Sequence, residues 1–175
     1  MATYTPSLHD NLGFLSSLQS VKPHSLDAVQ SVWQSIVTEW FPGRHGYRPI
    51  FKGSTLANNT MPEVTIQVWA LAQNPSASQE WIERQILLVK CKCPSSNTPS
   101  CWDDTIGQFE DEIAKASDRL FGAVGIGKEV RFYEFDGRKP PGQRLAQLHG
   151  GSFDMGNRNG ITQVENMMNY IKANA

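Results

Sequence analysis

The sequence predicts an α+β domain: a mixed β-sheet flanked by helices, in the order helix, three strands, helix, two strands, helix (αβββαββα). Three observations predict it. Some segments repeat apolar residues at three- and four-residue steps, which is one face of a helix. Others alternate with a period of two, the mark of a half-buried strand. The two kinds do not interleave strictly enough for a doubly wound fold, nor do strands occur alone. With 175 residues, of which 39% are hydrophobic, the chain is long enough for one domain, 1–175, with its own core.

Residues 1–24 lack a clear period and read as an N-terminal arm, with room for a short helix at Leu12 to Leu18. The core of the domain, 25–136, begins at Ser25, an N-cap residue type. Leu26, Val29, Trp33, Ile36, Val37 and Trp40 then form a helical stripe that Pro42-Gly43 stops. Tyr47 to Lys52 reads as a short strand, and Pro49 hints at a sheet edge. After Pro62-Glu63, Val64, Ile66 and Val68 alternate with Thr65, Gln67 and Trp69, as in a half-buried strand. The polar stretch Gln73 to Gln79 separates it from Ile86-Leu87-Leu88-Val89, whose unbroken apolarity predicts a central strand covered on both faces. Pro94 ends that ladder.

Ser100 is the expected cap of a second helix, with Asp103 and Asp104 in its first turn and Trp102, Ile106, Phe109, Ile113 and Ala116 as its stripe. Leu120 to Gly127 and Glu129 to Asp136 read as two strands of a hairpin. Residues 137–160, rich in Gly, Pro and Arg, read as a long loop. The C-terminal helix, in 161–175, is expected over Thr162 to Lys172, with Thr162 and Glu165 as a capping box.

Composition excludes several functions. A net charge of -1 is wrong for a polyanion binder that works by overall charge. No apolar run reaches the roughly 18 residues of a membrane span, and Met1 to Ser20 has no signal-peptide pattern. The expected setting is therefore intracellular and cytoplasmic, with no membrane partner. Cys91, Cys93 and Cys101 lack a fourth ligand at zinc spacing, so they read as ordinary thiols and no metal is assigned. The triplet Asn58-Asn59-Thr60 matters only in a secreted chain. Gly122 to Lys128 matches G-x-x-x-x-G-K, but Glu129 stands where a magnesium-binding hydroxyl belongs and a strand follows instead of a helix. Those glycines are expected at close-packing and turn positions. His9, His24, His45 and His149 fall in loops and form no local pair, and no hydrolase motif is present. The basic segment Arg138 to Arg144 reads as a solvated loop.

The constellation with chemical content is Glu63, Lys90 and Lys92. If their strands pair as an antiparallel hairpin, the start of one lies beside the end of the other. Period two puts Lys90 and Lys92 on one face, so the three converge at one sheet end. The plain reading is an ion pair that caps a sheet.

Here the chain resembles a known superfamily. Pro62-Glu63, a strand, Leu87-Leu88-Val89-Lys90-Cys91-Lys92 and Gln108 on the next helix look like the core of PD-(D/E)XK nucleases. In particular they are similar to short uncharacterised fungal proteins of that restriction-endonuclease-like fold with a degenerate metal site. The resemblance covers roughly Leu26 to Asp136. It implies that Glu63 stands at the first metal-binding acid, Lys90 at the second acid, and Lys92 at the lysine that assists the attacking water. Lys90 changes the charge of the triplet from -1 to +1, which opposes Mg²⁺ binding. Glu39 on the first helix is a further candidate acid.

The expected function is therefore a nuclease-like fold reused for a small apolar organic ligand, without metal or cofactor, and suited to a cyclisation or isomerisation in fungal secondary metabolism. Lys90, Lys92 and Glu63 are the candidate catalytic residues, each lysine lowering the other's proton affinity. Gln108, Trp69, Trp102 and Glu39 are the candidate ligand-binding residues. The alternative is a non-catalytic module that binds nucleic acid or protein, with nucleic acid disfavoured by the near-neutral charge. A residual Mg²⁺-dependent nuclease is the third reading. Whether the chain is an enzyme, and its oligomeric state, stay open at this point.

Overall fold

The period-two segments pair into one sheet, and the helical stripes pack on its two faces. The computed structural model describes residues 4–53, 63–76, 79–113 and 119–175. Along the chain come α1 (Leu12–Gln19), α2 (Leu26–Trp40), β1 (Tyr47–Gly53), β2 (Glu63–Gln73), β3 (Trp81–Lys92) and α3 (Pro99–Ile113). These are followed by β4 (Arg119–Ile126), β5 (Glu129–Asp136), β6 (Leu145–Gln147), β7 (Phe153–Asp154) and α4 (Arg158–Asn174). The fold is α+β with a mixed, open, seven-stranded sheet in the order β1-β2-β3-β4-β5-β6, and β7 joins β5.

Most neighbours are antiparallel, but β3 and β4 are parallel, because α3 carries the chain from the end of one strand back to the start of the next. That crossover makes β3 an interior strand. Its second half, Ile86 to Lys92, is almost wholly buried, as its apolar run requires, while Trp81 to Arg84 project beyond the helices and stay exposed. β1 is the sheet edge, where Pro49 costs no ladder bond.

Alternation along the strands divides the core in two. Val64, Ile66, Val68, Leu87, Val89 and Cys91 pack with α1, α2 and α4 on one face. Leu88, Leu120, Val124, Tyr133 and Phe135 pack with Cys101, Trp102, Phe109 and Ile113 of α3 on the other. A single helix cannot cover seven strands, so among the described residues the part of the second face over β1 and β2 lies open beside α3.

The glycines of β4 explain how closely the helices approach. A Cβ on Gly122 would sit 1.8 Å from Phe109 Cζ, and one on Gly125 would sit 2.4 Å from Trp33 Nε1. They are packing positions for α3 and α2, and Gly127 follows them in the β4–β5 turn with φ +62°. No phosphate cradle is built there.

Several boundaries differ from the sequence reading. The arm is not loose: Leu8 and Phe14 are fully buried, Asn11 Oδ1 caps α1 by accepting from Phe14 N–H, and Glu165 accepts from Leu8 N–H at 2.7 Å. That last bond uses Glu165 elsewhere, so Thr162 and Glu165 form no capping box. α4 instead starts four residues earlier, where Asn157 Oδ1 accepts from Gly160 N–H. Ser25 occupies the cap position of α2 without a side-chain bond. In α3 the capping hydroxyl is Thr98, which accepts from Cys101 N–H; the helix opens at Pro99, so Asp103 and Asp104 lie beyond its first turn. Within 137–160, the short β6 and β7 cover the outer edge of β5. Asn58-Asn59-Thr60, Pro62 and Ala116 lie outside the described residues.

Candidate functional site

Register brings the triplet together. Glu63 pairs with Lys92 across β2 and β3, and Thr65 pairs with Lys90, so both lysines reach the carboxylate that opens β2. Lys90 is 1% exposed. Its Nζ donates to Glu63 Oε1 at 3.2 Å and to Glu112 Oε1 at 2.5 Å. Lys92 Nζ lies 3.5 Å from Glu63 Oε2, within ion-pair reach but without hydrogen-bond geometry. Two ammonium groups thus meet two carboxylates, and the cluster is neutral. An isolated buried lysine would be strongly destabilising, and this neutrality makes its burial tolerable.

Beside the cluster, on the open part of the sheet face, lies a groove of about 340 Å³. Its lining takes the α3-facing side of β2 (Glu63, Thr65, Gln67), Gln85 and Leu88 of β3, and Lys52 and Gly53 of the edge strand. Glu112 and Leu120 close the side next to α3. The walls carry two carboxylates, a lysine ammonium, a hydroxyl and two amides, with Leu88 and Leu120 as the apolar part. Glu63 is the member of the triplet that lines the groove; Lys90 and Lys92 stand behind it.

The structure brings Glu63, Lys90 and Lys92 into one cluster, and leaves other candidates outside. Gln108 is exposed on α3 and does not line the groove; Glu112, one helical turn further, takes the position expected of it. Glu39 belongs to α2 on the opposite sheet face, where its carboxylate accepts from Ser7 N–H and Asn11 Nδ2. It has no access to Glu63. Trp102 packs near the other end of α3, under Arg131 at 4.1 Å, with its Nε1 on Asn97. Trp69 touches the groove only indirectly, through a 3.3 Å bond from its Nε1 to Gln67 Oε1. Glu112, Thr65 and Gln67 were within reach of sequence reasoning: they share the faces of Gln108 and Glu63 at helical and strand spacing.

Metal ligation finds no support among the described residues, where no group of three His, Cys, Asp or Glu is placed to hold an ion. The cysteines are separate: Cys91 and Cys101 are buried, burial pushes the Cys91 thiol up, and Cys93 is half-buried. For Cys93, burial raises the thiol pKa, but hydrogen bonds from Ser95 and Ser96 outweigh it and lower the balance. No described helix is long and apolar enough to cross a membrane. No protein-family model, curated protein or solved structure matches the chain.

Proposed function

We propose that this chain is a metal-independent binding protein on a nuclease-like scaffold, and that its groove beside α3 takes a small organic ligand. The observation that carries this reading is the Lys90 ammonium held between Glu63 and Glu112. In the resembled nucleases that place belongs to a divalent ion. Here a tethered cation already satisfies the carboxylates, and a second, Lys92, stands 3.5 Å from the remaining Glu63 oxygen. An entering Mg²⁺ would have to displace one ammonium and stay near the other, and Mg²⁺ gives up its own water reluctantly.

The lining refines the ligand class. Leu88 and Leu120 offer a small apolar floor, whereas Thr65, Gln67 and Gln85 offer hydrogen-bonding walls. A compact molecule with amide or hydroxyl groups on a hydrocarbon frame matches those walls better than a purely apolar one. Any rearrangement performed there is metal-free, with Glu63, Glu112 and Lys52 as the ionisable groups that line the groove. Nucleic acid is a poor occupant, because α3 exposes Glu110, Asp111 and Glu112 at its groove end, where a phosphate backbone would have to run.

Two titrations test the reading together. Calorimetry with Mg²⁺ and Mn²⁺ should show no site tighter than about millimolar; a micromolar site abolished by Glu63→Gln would restore the metal-dependent nuclease. Amide- and hydroxyl-bearing fragments, followed by amide NMR shifts, should perturb Thr65, Gln67 and Gln85 and lose that effect in Thr65→Trp, which fills the groove. Binding that persists in a stably folded Thr65→Trp, or that weakens steeply with salt, would overturn the groove as the site.

A further inference from the structure

The outer edge of β5 is closed by an unusual bond. β6 pairs with Tyr133 to Phe135 and β7 pairs with Glu129 and Val130, which leaves the backbone of Phe132 between two short strands. Its carbonyl accepts from Leu148 N–H at 2.9 Å, as an ordinary strand partner would supply. Its N–H donates at 3.0 Å to His149 Nε2, so an imidazole stands where a backbone carbonyl belongs. A backbone N–H can only donate; Nε2 is therefore the unprotonated nitrogen, and Nδ1, 3.4 Å from the Gly150 carbonyl, carries the hydrogen. The ring is stacked on Phe153 at 3.7 Å with a 16° tilt and meets Phe132 edge-on, which fixes its orientation.

We propose that His149 is a pH-sensitive clasp that holds the segment between β6 and β7 on the sheet and releases it on protonation. A protonated Nε2 presents a donor to the donor N–H of Phe132, so the 3.0 Å contact turns from attraction to repulsion. Release uncovers the Phe132 N–H and C=O at the β5 edge, with the apolar rings of Phe132 and Phe153 beside them. An open strand edge next to apolar rings is a template for strand addition.

The surroundings set the sign. Burial is the leading cause that lowers the His149 pKa from 6.5; the Gly150 carbonyl opposes it, and the Arg131 guanidinium lowers it further. Arg131, whose Nε donates to Ser152 Oγ, is the charged group that faces the ring from β5. Among the described residues no carboxylate lies within ion-pair distance of the imidazole: Glu165 of α4 pairs with His9, Glu134 and Asp136 of β5 pair with Arg119 and Arg138, and Asp154 of β7 accepts from Gly156 N–H. The fold thus favours neutral imidazole. The clasp's contribution is complete above the unfolded pKa near 6.5 and is lost as pH falls through the lower folded value.

The experiment is amide hydrogen exchange of Phe132 at pH 7.5 and 5.0, corrected for the intrinsic pH dependence, with ¹⁵N imidazole spectra of the whole chain. Protection of Phe132 should fall by about tenfold or more at pH 5.0, while Ala123 inside the sheet keeps its own. The spectra should show the Nδ1–H tautomer at pH 7.5. His149→Gln, which keeps a neutral acceptor, should remove the pH dependence, and His9→Gln should leave it unchanged. Equal protection at both pH values, the opposite tautomer, or a pH dependence that follows His9 would each overturn the clasp. The wild-type measurements decide the matter even where a variant fails to fold.

Discussion

Lys90 shows how burial and exposure divide one cluster into unequal bonds. Its partner Glu63 is 11% exposed at the side chain, whereas Glu112 is 47% exposed on the last turn of α3. Water screens the Glu112 pair, and a carboxylate near a helix C-terminus also opposes the dipole, so the shorter contact is the weaker contributor. Glu112→Gln should therefore cost no more than about 1 kcal/mol in urea denaturation. Lys90→Met should cost about 3 kcal/mol, because it leaves the buried Glu63 with Lys92 alone, 3.5 Å away and without hydrogen-bond geometry. Combining Lys90→Met with Glu63→Gln should recover part of that loss, since the stranded charge goes with its partner. A Glu112→Gln loss as large as that of Lys90→Met would mean that the cluster is drier than its exposures imply. The convergence of Glu63, Lys90 and Lys92 was legible in the sequence because strand period and hairpin pairing suffice to place it. Glu112 was missed because the resemblance pointed to Gln108, one turn earlier on the same face of α3.

Elements were legible where a long apolar period ran unbroken, as in α2, and where a polar break bounded a short one, as in β5. Boundaries failed where a capping bond decided them: Thr98 for α3 and Asn157 for α4. β6 and β7 had no readable period because two or three residues carry none, and their pairing is supplied by β5 and by the His149 ring. The glycines of β4 were legible as packing positions, and they allow a test of element docking. Gly122→Ala should lose about 1–3 kcal/mol, because the Phe109 ring that its Cβ would strike belongs to the helix that covers this face. Phe109→Leu should return part of that loss in the double variant while being destabilising alone. Gly107 makes the control. It lies in the same helix with nothing within 4 Å of an added Cβ, so Gly107→Ala should gain up to about 1 kcal/mol from helix propensity. Thermal melts of the four variants check the order.

At the scale of the whole molecule, stability is graded from the β3–β4 pair outward. The parallel contact of Leu87 to Lys92 with Phe121 to Ile126 is covered by α2 on one face and by α3 on the other. The far half of the β2–β3 hairpin, Leu71 to Gln73 against Trp81 to Glu83, keeps its ladder but has none of the described helices over it, and Trp81 and Ile82 are 60% and 51% exposed. The alternating sequence of β2 gave its strand, yet only the fold shows that the strand outruns its cover. A backbone bond is protected against exchange by the apolar contacts that must open with it, not by its own geometry alone. Native-state hydrogen exchange should therefore be slowest at Val89 and Ala123, near the global unfolding free energy. Ala72 and Ile82, which face each other across this half, should exchange through local opening, at least about tenfold faster, although their ladder is formed. Low concentrations of urea should leave the Ala72 and Ile82 rates unchanged and accelerate those of Val89 and Ala123, because only the latter expose a core when they open. Uniform protection along β2 and β3 would show instead that the projecting hairpin is covered in solution by another surface of this chain or by a second copy.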